Sequence, residues 1–289
     1  METKKTEKLK ILLPKGRIYE NVARLFEEAG ITIRLPERAY RPEVNQDDLE
    51  AKVMKPQNIG KLLELGAHDA GFTGADWIRE TGADVEEILD LGFDKVRIVA
   101  AVPAEVDNEA LRSKRILVAT EYVNNAEEWL KKNNFRYLVV RTYGATEVFP
   151  PDDADMIIDN TSTGRTLQEN GLRILDTVME SSTRMYASHS AMQDPAKRKK
   201  ILELKMLFES VMAARGRVML EMNVAKADFE KLVAGIPSMK SPTVAPLYGG
   251  NGYAVKIVTA KEEVPVLLPR LKELGATDIL EYTLRKVQQ

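Results

Sequence analysis

Between Ala154 and Leu172 the chain reads Ala-Asp-Met-Ile-Ile-Asp-Asn-Thr-Ser-Thr-Gly-Arg-Thr-Leu-Gln-Glu-Asn-Gly-Leu, its densest run of groups able to hold an anion. An apolar strand ending at Ile158 feeds Thr161, Ser162, Thr163, Gly164, Arg165 and Thr166, and a short helix, Thr166 to Glu169, stops at Asn170-Gly171. Hydroxyls, backbone N–H groups and the positive end of a helix dipole then point at one place, because first-turn amides have no intrahelical partner. A phosphate fits there. Asp155 and Asp159 flank the Met-Ile-Ile run. They are expected near the same strand end, where carboxylates accept bonds from sugar hydroxyls or hold Mg²⁺ through water. The same residue types also make an ordinary capped helix after a strand, so the stretch alone leaves both readings open.

Other loops carry weaker signals of the same kind. Pro14-Lys15-Gly16-Arg17 closes the first apolar run and sets two cations around a glycine, which suits a polyphosphate and equally suits a solvated turn. Gly71-Phe-Thr-Gly74 leads to Asp76, able to cap the next helix or to face a ligand. Gly144-Ala-Thr-Glu147 similarly offers amides and a carboxylate, or a simple turn. His68 and His189 show no zinc spacing and read as surface residues, and Lys197 to Lys200 reads as a solvated helix face.

Composition narrows the classes. The 289 residues carry 42 Lys and Arg against 44 Asp and Glu, a net charge of −2, so no overall positive field exists to hold nucleic acid or an anionic membrane. With no cysteine and two histidines, disulfide scaffolds, thiol nucleophiles and His-rich metal sites are excluded. No Gly-x-Ser-x-Gly elbow occurs. METKKTEKLK passes from charges straight into a short apolar run, and no stretch has the length of a membrane span, so a cytoplasmic protein is expected.

Strand and helix alternate over the first two thirds. Leu9–Leu13, Ala70–Thr73, Val96–Val102, Ile116–Ala119, Tyr137–Val140 and Met156–Ile158 read as strands; Ile18–Ala29, Ile59–Leu65 and Ala126–Lys132 read as helices. Strands buried on both faces by helices imply an α/β architecture. Residues 194–215 read as one long helix ending at Arg215-Gly216. Beyond it the pattern becomes β-α-β-β-α-β, a ferredoxin-like unit, with Pro269 expected to kink its second helix.

LPKGR at 13–17, DAGFTGADW at 69–77, VATEY at 118–122, YGATEV at 143–148, DNTSTGRTLQENGL at 159–172 and KSPTVAPL at 240–247 together resemble the long form of the ATP phosphoribosyltransferases, which open histidine biosynthesis. The resemblance runs over nearly the whole chain in the family's order. It departs at KPQNIG, 55–60, where Asn58 stands at a position often acidic in the family, which puts a substrate role for that loop in doubt.

The resemblance implies two lobes joined like a periplasmic binding protein, 1–94 with 180–215 and 95–179, and a regulatory ferredoxin-like domain over 216–289. It further implies transfer of phosphoribosyl from phosphoribosyl pyrophosphate to N1 of ATP, releasing pyrophosphate. Thr161 to Thr166 would take the 5′-phosphate. Asp155 and Asp159 would address the ribose or the Mg²⁺-bound diphosphate. Lys15, Gly16, Arg17, Asp76 and Glu147 would face ATP or the diphosphate, with Lys15 and Arg17 answering transition-state charge. No general base is assigned. Asn223, Met239, Ser241 and Thr243 would bind histidine as inhibitor, with AMP a further candidate ligand. A homodimer and a hexamer, without nucleic-acid or membrane partners, complete the expectation. Rival classes are a non-catalytic two-lobed binder, a phosphoribosyltransferase for free bases, and a short form needing a separate regulatory subunit.

Overall fold

The computed structural model describes residues 8–36, 39–236 and 241–288. Chain order runs β1 (Leu9–Pro14), α1 (Arg17–Ala29), β2 (Ile33–Arg34), β3 (Glu43–Val44), β4 (Leu49–Met54), α2 (Pro56–Glu64), β5 (Ala70–Gly74), α3 (Ala75–Thr81), β6 (Glu86–Asp90), β7 (Val96–Pro103), α4 (Asn108–Ser113), β8 (Arg115–Thr120) and α5 (Val123–Lys132). It continues with β9 (Arg136–Arg141), β10 (Met156–Thr161), α6 (Arg165–Glu169), β11 (Leu172–Ser181), β12 (Thr183–Ala187), α7 (His189–Gln193), α8 (Pro195–Arg215), β13 (Arg217–Ala225), α9 (Phe229–Gly235), β14 (Thr243–Pro246), β15 (Gly252–Ala260), α10 (Val264–Glu273) and β16 (Ala276–Thr283).

Two sheets organise the first two thirds. The first has the order β4-β1-β5-β12-β6, with β4, β1 and β5 parallel and β12 antiparallel to both neighbours. Its interior strand β1 buries Ile11, Leu12 and Leu13 together, the near-continuous apolar run of a strand covered on both faces. The second has the order β11-β7-β10-β8-β9, with β10, β8 and β9 parallel and β7 antiparallel to β10 and β11. Alternation along these strands separates two cores. Ile98, Val118, Met156 and Ile158 cluster with Trp129 and Leu130 of α5, and Val99, Ala119 and Ile157 cluster with Leu167 of α6. The chain enters the second sheet at β7 and leaves it at the end of β11, where Val96 pairs with Ser181, so the two crossings lie side by side. Two α/β lobes joined by two adjacent strands are the periplasmic-binding-protein architecture.

The chain forms two compact units, 1–27 with 31–202 and 28–30 with 203–289. By contacts the second unit thus takes in the C-terminal part of α8 as well as the residues beyond Gly216. The reason is bonding: Ser210 accepts the Val287 amide (2.9 Å) and donates its hydroxyl to Gln288 (2.6 Å). The sheet here has the order β14-β15-β13-β16, antiparallel throughout. Val218, Leu220, Met222 and Val224 cluster with Leu232 of α9 and with Leu267 and Leu271 of α10, which is the ferredoxin-like β-α-β-β-α-β unit. Pro269 lies inside α10 without ending it, since buried Leu267 and Leu271 hold the turn that lost a bond. Among the described residues no helix is long and apolar enough to cross a membrane.

Candidate functional site

The motifs share one structural property, because each leaves the carboxyl end of a parallel strand. Lys15–Arg17 follow β1, Lys55–Asn58 follow β4, and Asp76-Trp77 follow β5; Glu121-Tyr122 follow β8, Thr142–Glu147 follow β9, and Ser162–Thr166 follow β10. That edge is where open α/β sheets bind ligands. Between the lobes, a cavity of about 250 Å³ is lined by Arg17, Gln57, Asp76 and Trp77 from one side and Glu121, Tyr122 and Asn160 from the other. A larger one, about 830 Å³, is lined by Lys55, Asn58 and Lys61 and, opposite them, Glu121, Asn124, Arg141 and Tyr143. Ser162 opens onto a third, about 400 Å³, beside Lys95, Arg97 and Arg184 near the crossings.

The loop beyond β10 is a glycine turn leading into a short helix. Gly164 stands at φ +81°, a left-handed conformation that costs glycine nothing, and its carbonyl accepts the Gln168 amide in the short α6. Thr161 Oγ1 accepts the Gly164 amide at 2.9 Å, while Ser162, Thr163, Arg165 and Thr166 are exposed. Arg165 turns to Glu169, 2.7 Å away. Asp159 borders this loop. Burial raises its carboxyl to about 6, and the carboxylates of Glu121 and Glu147 push the same way against hydrogen bonds from the Asn160 amide and Thr146. Two carboxylates from other motifs are therefore within electrostatic reach of Asp159.

Two expected site residues are corrected. Asp155 precedes β10 while Asp159 lies toward its far end; four residues of strand separate them by roughly 13 Å, so they do not share an end. Asp155 is instead held by Lys114 Nζ (2.5 Å) and the Leu117 amide (2.8 Å), which keep its carboxyl below the ordinary range against the effect of burial. Asp76 does not face a ligand with a free carboxylate. It is 4 % exposed, with Oδ1 accepting from Ser181 Oγ (2.6 Å) and Oδ2 from the Tyr122 hydroxyl (2.9 Å). A Cβ on Gly74 would stand 2.0 Å from Asp76 Oδ1, so glycine is required at this contact.

Lys15 is exposed, its ammonium 5.5 Å from the Tyr40 ring centroid, and Gly16 turns the chain into α1. Arg17 opens α1 with its guanidinium 3.8 Å from Asp94. Asn223 and Thr243 lie on β13 and β14, on the face of that sheet away from α9 and α10, separated by β15. Asn223 Nδ2 donates to Asp278 (3.0 Å). Ser241 is exposed just before β14, and Met239 lies outside the described residues. His68 is half-buried rather than a surface residue; its Nδ1 has no partner, and burial with Lys52 and Lys10 nearby lowers its pKa. His189 is exposed, 2.9 Å from Asp84.

Sequence reasoning missed Tyr122, Asn160, Arg141, Lys55 and Gln57, although all but Arg141 lie inside segments quoted above. It also missed Glu80, 3 % exposed on α3. Glu80 Oε1 and Oε2 accept the Asn124 and Asn125 amides at 3.0 Å each, capping α5 of the opposite lobe. Glu80→Ala is expected to cost about 3 kcal/mol in urea unfolding, and Glu80→Gln about half of that. An unchanged midpoint for both would remove this contact from the account of how the lobes are held.

Fold and site define a two-lobed α/β protein with a polar cleft between its lobes. The family model for ATP phosphoribosyltransferase matches residues 55–210, and that for the HisG C-terminal domain matches 214–286. ATP phosphoribosyltransferase of Chlorobium phaeobacteroides is 40 % identical over 288 residues, spanning 96 % of this chain and 97 % of its own. That of Pelotomaculum thermopropionicum is 39 % identical over 97 % of this chain and 99 % of its own. A solved structure from Thermotoga maritima, an ATP phosphoribosyl transferase (HisG:HisZ) complex, superposes with TM-score 0.62 and 25 % identity over 70 % of this chain and 98 % of that one. The chain belongs to the ATP phosphoribosyltransferase family in its long form, the pentosyltransferases that carry out the first step of histidine biosynthesis. A divalent metal ion takes part in that family's reaction.

Proposed function

We propose that this enzyme holds the 5′-phosphate of phosphoribosyl pyrophosphate on Thr161–Thr166, with Asp159 toward the ribose hydroxyls, and that ATP enters from the cleft between Lys15–Arg17 and the Glu121–Glu147 wall. The observation that carries this reading is the exposed hydroxyl loop beyond β10, set beside Asp159 and two further carboxylates. In the reaction the C1′–oxygen bond to diphosphate breaks as adenine N1 bonds to C1′, through an oxocarbenium-like transition state. Positioning and charge neutralisation carry such a step, which suits a site without a nucleophile. Arg17, at the start of α1, is the cation placed to face departing diphosphate. Glu147 lies at the cleft edge, and its charge adds to that of Glu121 at Asp159.

Magnesium fits this donor set. Among the described residues no group of three or more His, Asp or Glu side chains forms a cage. The surplus negative charge around Asp159 suits a hard cation shared with substrate oxygens. Asp159 would hold it, and the ion when bound supplies further neutralisation of the diphosphate. A cytoplasmic location goes with these substrates. The catalytic lobes are taken as 1–94 with 180–215 and 95–179. The C-terminal domain, 216–289, binds histidine through Asn223, Met239, Ser241 and Thr243, and AMP is a further ligand. Histidine inhibits by favouring one lobe arrangement or assembly, dimer against hexamer, since a ligand with equal affinity for both shifts nothing.

The test is ultraviolet detection of N1-ribosylated ATP from ATP, phosphoribosyl pyrophosphate and Mg²⁺, with pyrophosphatase pulling the equilibrium, with and without histidine. Product formation suppressed by histidine is expected. Product insensitive to histidine would remove the effector site alone. A preference for free bases over ATP would overturn the substrate assignment.

A further inference from the structure

A line of hydrogen bonds begins in the first lobe and ends on Asp159. Ser181 Oγ and the Tyr122 hydroxyl donate to the two oxygens of Asp76, at 2.6 and 2.9 Å. Asn160 Nδ2 lies 3.1 Å from the Tyr122 hydroxyl and 3.3 Å from Asp159 Oδ1, which also accepts the Asn160 amide at 2.7 Å. Asp76 is 46 residues from Tyr122 in sequence, and Tyr122 is 38 from Asn160, so the line exists only through the fold.

The chemistry of each group dictates the next. The Tyr122 O–H carries a single hydrogen and donates it to Asp76 Oδ2. The phenol oxygen is then an acceptor toward Asn160, which settles which way that carboxamide faces: its NH₂ is turned to Tyr122 and Asp159, and its C=O away. Tyr122 itself has no freedom to wander, being 1 % exposed and stacked on Trp77 with centroids 4.6 Å apart. Without the phenol oxygen the Asn160 amide keeps only its 3.3 Å contact to Asp159 Oδ1, and its orientation beside that carboxylate is less firmly set.

We propose that Tyr122 is a positioning residue for phosphoribosyl transfer: acting through Asn160, it orients the Asp159 carboxylate toward the ribose from an anchor in the opposite lobe. The inference rests on the assignment of Asp159 to the ribose. It makes binding of phosphoribosyl pyrophosphate, and not of ATP, dependent on a hydroxyl bonded to Asp76 and Asn160.

Tyr122→Phe keeps the ring and its stacking and removes only the oxygen. The full-length variant, read well below its melting temperature, is expected to raise both KM and the calorimetric Kd for Mg²⁺–phosphoribosyl pyrophosphate about tenfold, with KM for ATP within about twofold of the parent. In an Asn160→Ala background the same substitution should change that Kd by less than about twofold, since the coupling partner is gone. A lowered melting temperature with unchanged Kd and KM would reduce Tyr122 to a packing residue and overturn the inference. So would effects of Tyr122→Phe and Asn160→Ala that simply multiply. Asp159→Asn binding the same substrate as the parent does would instead withdraw the assignment beneath it, a result separable from the other two.

Discussion

Asp159→Asn is expected to give a protein that is more stable than its parent at pH 8 and nearly inactive. Burial and the Glu121 and Glu147 carboxylates raise the Asp159 carboxyl to about 6 in the folded chain, against an ordinary value near 4 when unfolded. The sign follows from linkage. A carboxyl whose folded pKa is raised favours folding below pH 4, and that contribution is lost as pH rises to 6 and beyond. Asparagine carries no such penalty, so the stability difference between variant and parent should be near zero at pH 4 and grow to about 1–3 kcal/mol above pH 6, some 3–8 °C in melting temperature. Turnover should fall by about 10³-fold, because the ribose loses the charge that orients it and answers the oxocarbenium. Unfolding curves across pH and steady-state rates check both halves. Equal stability at pH 8 would mean that Asp159 is not strained, and activity close to the parent's that it is not placed at the ribose. The pairing of lost function with gained stability is what a site that stores like charge should show.

Arg17→Ala is expected to lower kcat by about 10²–10³-fold with little effect on unfolding. Arg17 contributes little to stability because its guanidinium is well exposed and 3.8 Å from Asp94, a contact of the kind worth under about 0.5 kcal/mol. Asp94 keeps other partners when it is gone, Asn21 Nδ2 at 2.7 Å and Thr183 Oγ1 at 3.2 Å. The catalytic loss should therefore be separable from folding. Arg17→Lys restores the charge but not the planar fork that matches phosphate oxygens, so it should recover about a tenth of the parental rate or less. Pre-steady-state and steady-state rates would measure this. Full activity in Arg17→Lys would show that a point charge suffices, and full activity in Arg17→Ala would move the diphosphate to other cations of the cleft.

Most strands were readable because a strand covered on both faces must be apolar throughout, as Leu9–Leu13 and Val96–Val102 are. The ferredoxin-like order was readable for a similar reason, since Val218, Leu220, Met222 and Val224 alternate with residues of the open face. The strands that carry the chain back, β11 and β12, were not. β11 shifts register between Ile174 and Asp176 and again between Thr177 and Met179, which destroys the two-residue period that would have announced it. β6 and β4 gave too short or too polar a pattern to stand apart from the loops around them.

The chain's local chemistry determined the hydroxyl-bearing turn around Gly164 and which loops carry cations and carboxylates, because caps, turns and left-handed glycines act over a few residues. Tertiary structure alone decided which of those groups meet. Asp155 and Asp159, four apart in sequence, are pulled to opposite ends by the rise of a strand, while Asp76, Tyr122 and Asn160, dozens of residues apart, become neighbours where two lobes close on each other. Distance along the chain measures local geometry. Distance across a cleft is set by sheet order, and nothing in a single sequence encodes that except through the whole of its packing.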